Sequence, residues 1–478
     1  MSSNAQHIVT ANRQNSGPTP QGLTSTDSTA QGRKLRSKPS NPLQRALFDF
    51  LEQHHSVSSN GSTCSIAQDL ISKLPKRYSL YPPFLLLPTN IFTAPPAWRD
   101  FCSGLSAAEK EEMYACIART FSRQGSEVTH IAVNAPIAAE VDTNGGEGKS
   151  REANTMRSPT GLVPLYGDWG PRNLVTPVGG DGLFEVGQPT KEDLRRAFWA
   201  RAVQNGGIVQ VWAPLWTMFS RGNVKEKARI LGEGDSMFEG LDDRRADFPD
   251  GALDDISAVD LFVGIGYFAF SYLKRGVGVV WGWEINGWSV EGLRRGCKEN
   301  GWRVEILRVR GDGLVVDEKG REGDEVLESL VESLDMAEEG REKVRETRCV
   351  VFYGDNRWSG KIMTSLREIS LQRRVNGKWK RVRHVNLGLL PRARESWQNS
   401  VEILDSVIGG WLHVHENVDV RDYHSRKAEI VEEIGKLVAA DVAKRGQWKT
   451  SCCHLEEVKT YAPGVMHCVF DIQISPAR

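Results

Sequence analysis

The segment VDLFVGIGYFAF, residues Val259 to Phe270, joins an apolar strand to an apolar helix through two closely spaced glycines. We predict that the strand ends at Val263 and that Gly264 and Gly266 form a tight turn. Glycine adopts positive φ angles without steric cost, so backbone N–H groups of such a turn can face a ligand at the start of the next helix. The pattern is typical of nucleotide-binding folds, although a purely structural turn would also produce it.

An acidic residue supports the nucleotide interpretation. Glu284 ends the next predicted strand, VVWGWEIN, about 20 residues after the turn, where a ribose diol would meet it. Enzymes of nicotinamide cofactors and of S-adenosylmethionine share this arrangement. The third glycine of the dinucleotide motif is replaced by Ala269, and no hydride-transfer constellation is evident.

Two further positions favour S-adenosylmethionine. Asp260 lies four residues before Gly264, where a carboxylate can face the amino group of the methionine arm. Asp355 and Asn356 follow the predicted strand RCVVFYGD and offer a carboxylate and an amide to an adenine amino group. We therefore expect S-adenosylmethionine as the co-substrate.

The order of predicted elements gives the fold class. The chain has 478 residues and is expected to hold more than one domain. After residue 208, strands and helices alternate, which predicts an α/β fold with a mostly parallel sheet. The seven strand candidates are residues 258–264, 278–285, 348–355, 383–390, 410–418, 450–461 and 466–475. We predict a disordered tail at 1–42, a smaller N-terminal α+β region at 43–208, and the α/β domain at 209–478.

Two segments are interpreted as additions to this fold. The charged run between Glu305 and Arg348 is predicted to be a surface insertion, too polar to reach a core. A second insertion is expected between Asp235 and Leu253, directly before the first strand of the sheet.

Charge and composition limit the partners. The chain has 61 Lys and Arg against 61 Asp and Glu, so any site for nucleic acid must be local. The segment Ser370 to His384 holds six Arg or Lys and no acid, and we predict that Arg373, Arg374, Lys380 and Arg381 bind RNA. The alternative is a solvated basic hairpin.

The compartment and the metal content follow from similar observations. No apolar run is long enough to span a membrane, and the eight cysteines form no CxxC pair, so we expect a soluble cytoplasmic protein. A mitochondrial signal in the basic tail is a minor alternative. His413 and His415 would share one face of a strand, but no third ligand is evident, and we predict no metal.

Several stretches of the chain together resemble one family. They are APLWTMFSRGNVKEKAR, VDLFVGIGYFAF, WGWEINGWSVEGLRRGCKENGW, HVNLGLLPRARESW, LHVHENV and VKTYAP. They resemble the tRNA wybutosine-synthesizing protein 2 family, which is related to the tRNA guanine-37 methyltransferases, over about residues 200 to 470. The combination of FSRGN, KEK and NLGLLP is more specific than a general methyltransferase pattern.

The resemblance implies that residues 209–478 form a class I Rossmann-like S-adenosylmethionine-binding catalytic domain with seven strands, and that residues 43–208 are a substrate-orienting region. It also implies a defined reaction. Members of this family transfer the 3-amino-3-carboxypropyl group of S-adenosylmethionine to carbon 7 of 4-demethylwyosine at position 37 of tRNA(Phe), releasing methylthioadenosine. The expected partner is the anticodon loop of that tRNA, bound by one copy of the chain.

The resemblance also implies individual site residues. Cofactor contacts fall on Ser220, Lys227, Glu284, Asp355 and Asn356, with Lys227 facing the methionine carboxylate. Arg221 and Asn223 are expected near the reacting end of the cofactor, and Asn386 near the substrate base. We predict that these three residues contribute to catalysis. The alternatives are methylation of guanine 37, a non-catalytic tRNA-binding protein and, more distantly, a nicotinamide oxidoreductase.

Overall fold

The structure is a computed structural model, and its description covers most of the chain from residue 39 onward. The described residues are 39–55, 63–123, 125, 127–134, 140–142, 151–153, 159, 161–171, 188–220, 222–242, 253–335, 347–373, 379–444 and 447–477. The predicted disordered tail lies almost wholly outside them.

The N-terminal part combines helices with a small sheet. Its elements are α1 (Pro42–His55), α2 (Thr63–Ser72), β1 (Ser79–Tyr81), β2 (Phe84–Leu87), α3 (Pro96–Gly104), α4 (Ala107–Arg123), β3 (His130–Val133), β4 (Glu140–Asp142), β5 (Arg151–Ala153), β6 (Val163–Tyr166) and α5 (Lys191–Arg196). Strands β1, β2, β3 and β6 form a four-stranded sheet in that order. Helix α4 begins with a capping box, in which the Ser106 side chain accepts from the Glu109 N–H while the Ser106 N–H donates to the Glu109 carboxylate.

The larger part alternates strands and helices. Its elements are β7 (Ala200–Val203), β8 (Val209–Trp212), α6 (Val224–Leu231), β9 (Ile256–Asp260), α7 (Ala269–Arg275), β10 (Val279–Glu284), α8 (Gly287–Asn300), β11 (Arg303–Val309), β12 (Val315–Val316), α9 (Asp324–Asp335), β13 (Thr347–Tyr353), α10 (Ser359–Gln372), β14 (Arg381–Leu387), α11 (Trp397–Ile403), β15 (Gly410–Asp419), α12 (Tyr423–Ala440), β16 (Trp448–Ala462) and β17 (Val465–Pro476).

These strands build one large sheet with the order β12-β11-β13-β10-β9-β14-β15-β17-β16. The seven strands predicted from the sequence are contiguous in it, from β13 to β16, and the Rossmann-like α/β prediction is confirmed. Strands β13, β10, β9, β14 and β15 run parallel, and the closing hairpin β16–β17 is antiparallel. The carboxyl ends of β9, β10, β13 and β14 therefore meet at one edge of the sheet, where such folds bind their ligands.

The 305–348 segment differs from its prediction. It contributes strand β11, which pairs in parallel with β13, and helix α9, whose apolar side chains are buried in the main core. The buried residues of α9 are Val326, Leu327, Leu330 and Val331. Their helical spacing leaves the acidic residues on the opposite face, so a segment that is polar in composition still covers part of the sheet.

Strand β9 ends three residues earlier than predicted. The Asp260 carboxylate accepts a hydrogen bond from the Phe262 N–H at 3.1 Å, and this local turn replaces regular pairing. The chain remains attached to its neighbours, since the Val263 N–H donates to the Trp283 carbonyl at 3.0 Å.

The predicted boundary between residues 208 and 209 falls inside the β7–β8 hairpin. This hairpin packs Ala200 and Trp212 against Phe84 and Trp169 of the N-terminal part and against Ile265 of the glycine turn. The division into a substrate-orienting and a catalytic region stays a prediction. In the described part of the chain, no helix is both long and apolar enough to cross a membrane.

Candidate active site

The glycine turn at the carboxyl end of β9 has the predicted shape. Gly264 and Gly266 adopt φ angles of 56° and 87°, which disfavour other residues. A Cβ on Gly264 would also lie 2.8 Å from the ring of Tyr267. Glycine is therefore required at this position by both backbone and space.

Glu284 holds the turn from the end of β10. One carboxylate oxygen accepts from the Gly264 N–H at 2.9 Å and the other from the Asn286 N–H at 2.8 Å. Burial raises the pKa of Glu284 to about 7, although these two bonds favour the carboxylate. Glu284 thus lies beside the turn, and its contact with a ribose stays a prediction.

Asp260 is a buried carboxyl group with one unused oxygen. Its Oδ1 accepts from the Phe262 N–H, whereas Oδ2 is buried without a hydrogen-bond partner among the described residues. Burial raises the pKa of Asp260 to about 7, and the nearby Glu284 adds to this. An unpartnered buried acceptor is costly, and a ligand with a positive group would satisfy it.

Lys227 presents the opposite charge from helix α6. Its side chain is buried, its ammonium donates to the Gln210 side chain at 3.1 Å, and it lies 5.4 Å from the centre of the Tyr267 ring. No described carboxylate forms an ion pair with it. Burial, together with the nearby Lys459, lowers the pKa of Lys227 to about 8. The Gln210 amide in turn donates to the Gly266 carbonyl, which connects Lys227 to the glycine turn.

Arg229, two residues later on α6, is fully paired. Its guanidinium contacts the Glu226 carboxylate at 2.9 Å and the Asp471 carboxylate at 2.6 Å, and all three side chains are buried. Asp471 also accepts from His413 at 2.7 Å. This network was missed by sequence reasoning. The Glu226–Arg229 spacing on a helix indicates one of its pairs, but Asp471 lies 242 residues away.

The FSRGN loop precedes α6 and is joined to the glycine turn by Tyr267. The Tyr267 hydroxyl donates to the Met218 carbonyl, a contact that the sequence did not reveal. Ser220 is half-buried in this loop, and Arg221 lies outside the described residues. Asn223 comes directly before α6, and its Oδ1 is buried without a partner in the part of the chain that is described.

Asp355 and Asn356 follow β13 as predicted. Burial raises the pKa of Asp355, but hydrogen bonds from the side chain and the N–H of Arg357 outweigh it, so the pKa lies below its usual value. The Asn356 amide donates to the Leu261 carbonyl at 2.8 Å. Both residues therefore border the same edge as the glycine turn.

Asn386 lies beside Asp260 in the sheet. The two residues are register partners of β14 and β9, so their side chains share one face. The Asn386 carbonyl oxygen accepts from the Tyr272 hydroxyl at 3.5 Å, and its Nδ2 is buried with no partner among the described residues. A donor and an acceptor without partners thus stand side by side at the carboxyl edge.

The basic segment is not part of this site. Arg381 begins β14, so this segment lies at the amino edge of the sheet. Arg373 forms ion pairs with Glu328 and Glu332 of α9, and Lys380 donates to the Asp254 carbonyl at 2.9 Å. Arg374 lies outside the described residues. Binding of RNA by these residues stays a prediction, and their placement does not favour it.

The two histidines considered as metal ligands, His413 and His415, each contact a different histidine. His413 lies 3.1 Å from His384, and His415 lies 3.0 Å from His467. Across the residues that the structure describes, no group of three or more His, Cys, Asp or Glu side chains is placed to hold a metal ion.

Comparison with known proteins gives the family. The tRNA wybutosine-synthesizing protein 2 of Schizosaccharomyces pombe is 33% identical to this chain over 400 residues, which are 84% of the chain and 73% of the relative. The chain belongs to the tRNA wybutosine-synthesizing protein 2 family. The family predicted from the sequence is thereby confirmed.

Other members of the tRNA wybutosine-synthesizing protein 2 family are also similar. The Saccharomyces cerevisiae protein is 28% identical over 460 residues, covering 91% of this chain and 81% of the relative. A crystal structure of Pyrococcus horikoshii TYW2 in complex with MeSAdo is 16% identical, with a TM-score of 0.47, and the match covers 90% of this chain and 100% of that one. No family model matches the chain.

Proposed function

We propose that this chain transfers the 3-amino-3-carboxypropyl group of S-adenosylmethionine to carbon 7 of 4-demethylwyosine in tRNA, the reaction that membership of its family implies. One observation carries the proposal for the site. Asp260 and Lys227 are buried, oppositely charged and without a charge partner among the described residues, and both adjoin the glycine turn. The methionine arm carries an ammonium and a carboxylate, and so complements this pair.

The remaining contacts fit a nucleoside. Glu284 is placed to accept from the ribose hydroxyls in exchange for its present backbone donors. Asp355 and Asn356 offer an acceptor and an amide to adenine. The sulfonium of S-adenosylmethionine makes its three attached carbons electrophilic, so the protein selects the reaction by selecting which carbon faces the acceptor.

Positioning is the main contribution of this site. A displacement proceeds when the nucleophile stands in line with the attacked carbon at about 3–3.5 Å. Lys227 and Asp260 would hold the carboxylate and the ammonium, which share the α-carbon at the far end of the methionine arm. With the nucleoside held at the other end, the γ-carbon next to sulfur lies between these two anchors and is the group to be presented. Ser220, Arg221 and Asn223 are the candidates for completing this pose from the FSRGN loop.

The acceptor base would lie over the end of β14. Asn386 is the candidate for hydrogen bonding to the base, because its Nδ2 is an unused donor beside Asp260. The finer features of the proposal are the anticodon loop of tRNA(Phe) as the bound region, one copy of the chain as the active unit, and the cytoplasm as the compartment.

A two-label assay tests the proposal. The protein is incubated with tRNA carrying 4-demethylwyosine and with S-adenosylmethionine labelled in either the methyl or the carboxyl group. Carboxyl label in the RNA is expected, with methylthioadenosine released in equal amount. Methyl label in the RNA would instead establish a methyltransferase, and transfer of neither label would indicate a non-catalytic tRNA-binding protein.

A further inference from the structure

Two buried histidines at the end of the sheet have unused nitrogens. His415 of β15 and His467 of β17 are each 1% exposed. His415 Nδ1 lies 3.0 Å from His467 Nε2, so the two rings share one hydrogen bond. The other nitrogen of each ring, His415 Nε2 and His467 Nδ1, is buried without a partner among the described residues.

His415 lies under the substrate end of β14. It follows Val414, the register partner of Leu387, and therefore stands level with Gly388 of the NLGLLP segment. Its ring centre is 5.0 Å from that of Phe268, which itself lies against Gly388.

The neighbouring backbone ties the same segment to β15. The Asn417 N–H, two residues after His415, donates to the Pro391 carbonyl at 3.2 Å. The end of the NLGLLP segment is thus tied to β15 two residues beyond His415.

His467 is linked to the FSRGN loop through its neighbour on β16. It is the register partner of Lys459 on β16. The Lys459 side chain covers Gly222 of the FSRGN loop so closely that a Cβ there would lie 2.5 Å from its Nζ. The histidine pair is therefore bounded by the two segments that the family resemblance assigns to the reacting end and to the base.

Both rings are held in the neutral form. Burial lowers the pKa of His415 well below its usual value, and burial together with Lys459 lowers that of His467 to about 4. In a neutral pair that shares one hydrogen bond, one outer nitrogen is an acceptor and the other is a donor, whichever tautomer is present. A proton received at one end can accordingly be passed to the other.

We propose that the His415–His467 pair accepts the proton that leaves carbon 7 of the base, directly or through one water. The inference rests on the proposed aminocarboxypropyl transfer. In that reaction a bond forms from carbon 7 to the γ-carbon, and the carbon–sulfur electron pair goes to sulfur as methylthioadenosine departs. The carbon–hydrogen electron pair then restores the aromatic ring, and the proton moves to imidazole nitrogen. Because a cationic ring intermediate is a strong acid, a weakly basic imidazole is sufficient.

The chain holds a matched control. His384 and His413 are also buried and lie 3.1 Å apart, but Asp471 occupies the outer nitrogen of His413. His384 precedes Asn386 on β14 and lies further from the carboxyl edge. The first pair faces the reacting end, and the second is closed off by a carboxylate.

The experiment compares His415→Ala with His384→Ala in single-turnover transfer of carboxyl label, using tRNA with hydrogen or deuterium at carbon 7. For His415→Ala we expect a loss of about 100-fold in rate, the appearance of a carbon 7 isotope effect, and partial recovery with added imidazole. Its affinities for S-adenosylmethionine and tRNA should equal those of the wild type. For His384→Ala we expect neither an isotope effect nor recovery with imidazole.

The outcomes separate this inference from the proposed function. An unchanged rate in His415→Ala, or a slower rate with neither isotope effect nor imidazole recovery, overturns the role of the pair. A wild-type protein that transfers no carboxyl label contradicts the proposed function itself. If His415→Ala does not fold, His467→Gln, which retains a hydrogen-bonding side chain, takes its place with the same isotope readout.

Discussion

The two edges of the large sheet treat charge in opposite ways. At the amino edge, Arg373 and Lys380 belong to a strongly basic segment, yet both contact acidic residues. At the carboxyl edge, the charged side chains of Asp260 and Lys227 are buried, and neither has a charge partner in the described part of the chain. The number of charged residues in a segment therefore does not indicate where the site is. Buried charged residues without a partner of opposite charge indicate it.

The difference has a physical basis. A solvated ion pair costs little and stabilises little, so a basic surface segment acquires acidic neighbours without consequence. A buried charge without a partner is retained at a cost, and binding of a complementary ligand offsets that cost. We accordingly expect the unpartnered charges at the carboxyl edge to lower the stability of the free protein and to increase its affinity for the ligand.

The largest expected effect is a difference in stability between variants of two cationic residues on α6, Arg229 and Lys227. Arg229→Met should lower the free energy of unfolding by about 3–5 kcal/mol, since it leaves Glu226 and Asp471 buried without their partner. Lys227→Met should leave the free energy of unfolding unchanged or higher, because the buried ammonium has no anion to lose. Urea denaturation of the free protein measures both. Equal losses would mean that Lys227 is structural.

Cofactor affinity should respond in the reverse sense. Lys227→Ala should weaken binding of S-adenosylmethionine by about 1.5–3 kcal/mol, the range for a hydrogen bond to a charged group. Lys225→Ala, at an exposed position of the same helix, serves as the control and should bind as the wild type does. Calorimetric titration compares them. Unchanged affinity in Lys227→Ala would remove this residue from the site.

A smaller effect is expected from pH. Burial raises the pKa of Asp260 to about 7, and the proposed ammonium contact needs the carboxylate. Ionisation of Asp260 alone should therefore raise the affinity for S-adenosylmethionine about fivefold between pH 6 and pH 7. In Asp260→Asn this rise should be reduced to the part contributed by Glu284, whose pKa is also about 7.

The effect of rising pH on the stability of the free protein has the opposite sign to its effect on affinity. Because the pKa of Asp260 is raised on folding, its protonated form is favoured in the folded protein, and stability is lost as the pH rises through about 7. Asp260→Asn should reduce that loss in denaturation measured at pH 6 and pH 8. An identical pH dependence in wild type and Asp260→Asn would contradict the assignment.

The smallest effect is expected at the amino edge. Replacing Arg373, Lys380 and Arg381 together by alanine should change tRNA affinity by no more than about twofold, because these residues already contact acids and lie at the edge opposite the site. The slope of log affinity against log salt should stay the same. A slope reduced by about one for each charge removed would instead confirm the RNA site predicted from the sequence.

The sequence predicted features that depend on near neighbours in the chain. Gly264 and Gly266 define their turn through local sterics, and Glu284 reaches it because consecutive parallel strands lie side by side. The central strands could be predicted because they are short apolar runs bounded by turn residues.

Features that depend on distant residues could not be predicted in this way. The acids that contact Arg373 are on α9, more than 40 residues away, in a segment whose polar composition concealed its buried face. The contacts of Lys227 with Gln210 and of His415 with His467 likewise arise only when separate elements of the fold are brought together. A motif indicates which residues are available for a site. Contacts between distant residues decide which charged side chains have no protein partner and can bind a ligand.

The most direct test of the central claim compares a ligand that has the methionine arm and the sulfonium charge with one that lacks both. Affinities for S-adenosylmethionine and methylthioadenosine are measured in the wild type and in the Lys227→Ala, Asp260→Asn double variant. We expect the wild type to prefer S-adenosylmethionine, and the double variant to lose most of that preference while binding methylthioadenosine as before. A preference that survives in the double variant would contradict the assignment of these two buried charges to the methionine arm.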